Sequence, residues 1–147
     1  MSTSSDLQHV LNIASLLKNT YNPDNTIRSM AENNLKTIQE DVNFLPLLLH
    51  LIAVPKFDNN ISLAEQNHIK LAAAIMLKNH TNKKWFIRKS RNKQIESKIP
   101  NNIRDSIRNL IYPTMCNIND KKILTQLVQV LHTIAIADFP QAIPLFV

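Results

Sequence analysis

Seven cations, Lys83, Lys84, Arg88, Lys89, Arg91, Lys93 and Lys98, crowd into one short stretch that also holds Trp85 and Phe86. Cations that neutralise phosphate beside rings that stack on bases have the composition of a nucleic-acid or acidic-partner patch. The same run is also explained by two rings anchoring a loop on the core while the cations stay in water, and this solvated loop is the preferred reading. The other groups able to act as base, nucleophile or metal ligand are His9, His50, His68, His80, His132 and the single Cys116. The histidines are too scattered for a zinc site and read as surface or packing residues; Cys116 reads as a half-buried thiol with no neighbouring base. The chain contains no Gly. Phosphate-cradling loops and strained nucleophile turns depend on Gly for φ > 0, so P-loop, dinucleotide-binding and hydrolase-elbow chemistry are excluded. No enzyme activity, cofactor or metal is expected.

With 147 residues and 44% apolar side chains, the chain can build one core. A net charge of +6 fits a polyanion partner. It equally fits drift in base composition, because Asn, Ile and Lys are all heavily used and share A/T-rich codons. No apolar run approaches the ~18 residues of a membrane span, and the opening MSTSSDLQHV has neither a basic leader nor an apolar region. A soluble protein of a reducing compartment, cytosol or nucleus, is expected.

The elements that must position these residues are helices, since every long segment has a 3.6-residue apolar period. Asp6 is read as the cap of a first helix with Leu7, Val10, Leu11, Ala14 and Leu17 on one stripe; the turn Tyr21-Asn22-Pro23-Asp24 ends it. A second helix from Asp24 or Thr26 carries Ile27, Ala31, Leu35, Ile38 and Val42 inward. Asn43 caps a third, apolar nearly all round and therefore expected to lie between neighbours. Ser62-Leu63-Ala64-Glu65 is a capping box opening a fourth helix that reaches about Asn79. Pro100 starts a fifth, disturbed near its end by Pro113, and Asn119 caps a sixth; Asp138-Phe139-Pro140 launches a seventh. The expected fold is all-α, a right-handed solenoid of about three HEAT-type antiparallel helix pairs, at about 6–41, 43–80 and 99–137, with the start of a fourth at about 138–147. A chain that stops within a helix is expected to be part of something longer.

Ala31-Glu32-Asn33-Asn34-Leu35-Lys36-Thr37-Ile38-Gln39 resembles the A-E-x-x-L-x-x-x-Q helix of importin-β-family nuclear transport receptors, the karyopherins. His68-Ile69-Lys70-Leu71-Ala72-Ala73-Ala74-Ile75-Met76-Leu77-Lys78-Asn79, closed by Trp85, resembles that family's R-x-x-A-A-x-x-L-K-N helix. The order of features from Ile99 to Pro144 looks most like the branch of importins seven and eight and the importin-α exportin. His68 stands where Arg is common, and Ala142-Ile143-Pro144 where that branch has Trp before the proline.

The resemblance implies the amino-terminal end of a transport receptor whose second helices hold the small GTPase Ran in its GTP state, with cargo and nucleoporins bound further along. Wheel arithmetic places Asn33, Lys36 and Glu40, then Asn67, Lys70 and Lys78, then Thr125, Gln129 and His132 opposite the core stripes. These are the candidate Ran contacts, with Lys78 favoured as part of the L-K-N motif. Asn79 is read as a buried amide closing the turn or bridging repeats, and Trp85 as part of the structural motif. The alternatives are a generic HEAT scaffold for another protein and a basic nucleic-acid-binding helical domain.

Overall fold

The computed structural model describes residues 4–41, 43–55, 61–85, 89–90, 93–94 and 99–138. Its helices are α1 (Ser4–Asn19), α2 (Asn25–Gln39), α3 (Phe44–Ala53), α4 (Leu63–Lys84), α5 (Asn101–Cys116) and α6 (Lys121–Asp138); a two-residue ladder pairs β1 (Lys89–Ser90) with β2 (Lys93–Gln94). The architecture is all-α, as the apolar period required. Val42, residues 56–60, Phe86, Arg88, Arg91 and Lys98 lie outside the described residues, as does the expected seventh helix beyond Asp138, which itself closes α6.

Helix ends follow side-chain chemistry more closely than apolar pattern. Asp24 caps α2, its carboxylate accepting from Thr26 N at 2.8 Å and Ile27 N at 3.4 Å. Ser62 caps α4 by accepting from Glu65 N at 3.2 Å. Three expected caps are corrected. Asp6 lies inside α1, which begins at Ser4. Asn43 precedes α3 but makes no capping bond, because its amide donates to Asp41 at 2.9 Å instead. Asp120, not Asn119, caps α6, accepting from Lys122 N at 2.8 Å and Ile123 N at 3.3 Å. Pro113 lies inside α5 and removes one i→i−4 bond without ending the helix, which runs on to Cys116. Cys116 is exposed rather than half-buried.

Successive helices pack as hairpins, α1 on α2, α3 on α4 and α5 on α6. The first helices stack in one layer, with α3 touching both α1 and α5, while α4 packs along α6 in the other, giving a HEAT-like stack. α3 sits centrally and buries Phe44, Leu45, Leu48, Leu49, Leu51 and Ile52, which is why its sequence is apolar nearly all round. One apolar cluster runs through all three hairpins, from Val10 to Ile134. In α1 the buried stripe is Val10, Ile13, Ala14 and Leu17, whereas Leu7, expected inside, is 48% exposed.

Candidate functional site

The second helices, α2, α4 and α6, carry the residues that sequence reasoning placed on a binding face. Asn33 and Lys36 of α2 and Glu40 at its C-cap are exposed, as are Thr125, Gln129 and His132 of α6; on α4, Asn67 and Lys78 are half-buried. Lys70 is a correction to that set. It is 6% exposed, and its ammonium donates to Val54 O at the end of α3. α4 packs against both α3 and α6, so it buries a broad arc, Gln66, Ile69, Lys70, Ala73, Ala74, Leu77 and Thr81, where a single stripe was expected. Burial holds the Lys70 ammonium below the usual lysine range. One turn earlier Gln66 donates to Ile61 O at 3.1 Å, so α4 grips both ends of the connector that precedes it.

Asn79 is the second correction, being exposed where a buried amide was expected. It lies on the side of α4 facing α2, where the two helices stand apart around a groove of about 410 Å³. Leu17, Leu35, Ala72, Ile75 and Met76 supply the groove's apolar lining; Thr20, Gln39, Asn79, His80 and Lys83 supply its polar groups.

Sequence reasoning missed the bridge across this groove. The Gln39 amide donates to Met76 Sδ at 3.7 Å, and its Oε1 lies 3.2 Å from His80 Nε2. That pairing puts the imidazole proton on Nε2 and leaves Nδ1 buried with no hydrogen-bond partner among the described residues. Phe44 meets the His80 ring edge to face, centroids 5.1 Å apart. Burial first, then the Lys84 and Lys83 charges, lowers the His80 pKa to about 4, so the ring is neutral at pH 7. The signal available in the sequence was Gln39 itself, the closing residue of the A-E-x-x-L-x-x-x-Q pattern.

A second cluster surrounds Trp85. Fully buried at the end of α4, it lies under two guanidinium groups of α5, Arg104 at 4.9 Å and Arg108 at 5.3 Å from the ring centroid. Arg108 donates from Nε and Nη2 to the two oxygens of Asp138, at 2.8 and 2.7 Å, and from Nη1 to Asp105 at 2.8 Å. The hydrogen bonds to Asp138 are the main reason the Arg108 guanidinium holds its proton above the ordinary range. One junction thus joins the ends of α4 and α6 to the middle of α5. On the same side α6 is tied to α4 by Thr133 Oγ1, which donates to Asn82 Oδ1 at 2.7 Å.

Among the described residues no group of three His, Cys, Asp or Glu could hold a metal ion, and no helix is long and apolar enough to cross a membrane. What the arrangement offers is surface: polar helix faces, a groove between two of them, and stiff joints behind.

The importin-beta N-terminal domain family matches residues 31–117. Exportin-2 of Oreochromis niloticus is 28% identical over 135 residues, covering 90% of this chain and 12% of the relative. Exportin-2 of Pagrus major is 27% identical over 135 residues, with the same coverage. Exportin-2 of Xenopus laevis is 28% identical over 128 residues, covering 87% of this chain and 12% of the relative. The chain therefore spans about an eighth of the length of these relatives. The matched region opens at Ala31, runs through α3, α4, Trp85 and all of α5, and so takes in both quoted helix motifs. The chain belongs to the importin-β N-terminal domain family, the amino-terminal module of nuclear transport receptors.

Proposed function

We propose that this chain is the amino-terminal part of a nuclear transport receptor that binds Ran in its GTP state through the exposed faces of α2, α4 and α6. Family membership over residues 31–117 is the observation that carries this reading. The side chains offered to the GTPase are Asn33, Lys36, Glu40, Asn67, Lys78, Gln129 and His132, with Thr125 beside them; Lys70 is withdrawn because it is buried. Such a surface does no chemistry. It reads segments that the γ-phosphate orders, by many modest polar contacts spread over several helices. Cargo and nucleoporins are held by regions beyond this chain, and Ran binding reaches them as a linkage between distant sites. The working place of such a receptor is the nucleus and cytoplasm, with passage through the nuclear pore.

A pull-down with Ran locked in its GTP state, against Ran-GDP, tests the proposal. The wild-type chain should capture Ran-GTP selectively, and a Lys36→Glu/Lys78→Glu variant should lose that capture while remaining helical by circular dichroism. Equal capture of both nucleotide states, or GTP-selective capture untouched by the double substitution, overturns the assignment to this face.

A further inference from the structure

The groove between α2 and α4 is spanned by the Gln39–His80 bridge, and its remaining lining is not taken up by packing. α4 closes tightly on α6 and α3, yet toward α2 it leaves about 410 Å³ open, within the ~300–1,000 Å³ range of ligand clefts. Its lining is mainly aliphatic. Ile75 is 37% exposed at the lip, and Met76, a flexible side chain suited to surfaces that repack around a ligand, lies beside it. Among the described residues the lining contains one charged side chain, the exposed Lys83, and no carboxylate; Glu32 of α2 and Glu40 at its C-cap do not line it. Lys36 and Lys78 add positive charge on the same two helices. Asn79, exposed in the lining, presents an amide donor and acceptor of the kind that pairs with a peptide backbone.

We propose that this groove binds a short acidic peptide segment of a partner protein, seating one large apolar side chain among Leu35, Ala72 and Met76 and a neighbouring carboxylate against Lys83. Charge decides the class of peptide: a basic segment would bring like charge against Lys83, with no acidic lining residue to offset it. An apolar side chain alone would fill the cleft without using Lys83 or Asn79. The inference goes beyond the proposed Ran contact and does not rest on it, because it concerns a cleft between the helices and a peptide ligand.

The test uses the 147-residue chain with 13C-labelled methionine methyls and two synthetic peptides, Ser-Asp-Phe-Glu-Ser and its basic counterpart Ser-Lys-Phe-Lys-Ser, with no GTPase present. Met76 reports on the groove, while Met30 on α2 and Met115 on α5 lie outside its lining. At low salt the acidic peptide should shift the Met76 methyl with a Kd of about 1 mM, leave Met115 in place, and bind about tenfold more tightly than the basic peptide. Lys83→Glu, at an exposed position, should reverse that preference, and Ile75→Asp should remove the Met76 shift. A Met76 methyl that ignores both peptides overturns the proposal. So do equal affinities for the two, or a preference that Lys83→Glu leaves unchanged. Since Ran is absent throughout, the result stands apart from the pull-down.

Discussion

His80 shows how much one side chain can depend on its surroundings. Its folded pKa of about 4 lies below the ordinary 6.5, because the neutral ring is the form that fits between Phe44, Gln39 and two lysines. A base whose pKa is lowered by folding binds fewer protons folded than unfolded, so stability rises with pH across that window. Acidification from pH 7 should therefore cost stability progressively from about 6.5 down to about 4, where the loss is complete. After allowance for screening of this half-open ring by water, the cost is roughly 1–2 kcal/mol. Urea unfolding of the wild type and of His80→Gln at pH 7 and pH 4 measures it: the wild type should lose that much more than the variant between the two pH values. The sequence marked only half of this site, Gln39 of the quoted helix pattern; its pairing with His80, 41 residues on, was not legible. Lys70 and Asn79 failed for a related reason. A helical wheel locates one core stripe, but α4 packs against α1, α3 and α6 and leaves a groove toward α2, so one lysine went under and one amide came out.

Helices were the most legible level, because apolar period and capping chemistry both act over a few residues. Ser62 caps α4 as expected, and α2 begins within the expected interval, at Asn25, with Asp24 of the preceding turn as its cap. The misplaced caps have local causes: Asn43 prefers a carboxylate acceptor two residues back, and Asp120 offers an anion to the N-terminus of α6 where Asn119 offers only an amide. α4 extends past Asn79 because Trp85 is drawn under Arg104 and Arg108, a contact with residues far along the chain. The same junction supplies an element-level prediction. Asp138→Asn removes the charge from both Asp138 oxygens that Arg108 contacts and should cost roughly 1–2 kcal/mol, from a largely sheltered, two-pronged pair. Because the tie holds the end of α6 to α5, hydrogen exchange in the last turn of α6 should quicken while α2 is unaffected.

At the scale of the whole molecule the order of stacking was legible, since three apolar helix pairs joined by short turns have few ways to bury their faces. The groove was not, because spacing between second helices depends on how hairpins tilt rather than on the pattern of any one of them. α3 touches α1, α4 and α5, which makes it the common wall of the structure. Leu48→Ala, at a fully buried position, should cost about 3–5 kcal/mol. Trp85 fluorescence, reporting from the joint between the second and third hairpins, should then lose its signal at the same urea concentration as far-UV circular dichroism. Separate midpoints would mean that the hairpins unfold independently. The grip of α4 on its own entry has a different consequence. With Lys70 bound to Val54 O and Gln66 to Ile61 O, the two ends of the connector are set by α4 rather than by the number of residues between them. Chain length there is uncoupled from helix placement, and loop-closure entropy grows only logarithmically with added residues. A tag inserted between these two anchored ends should therefore leave the packing of α3 on α4 in place.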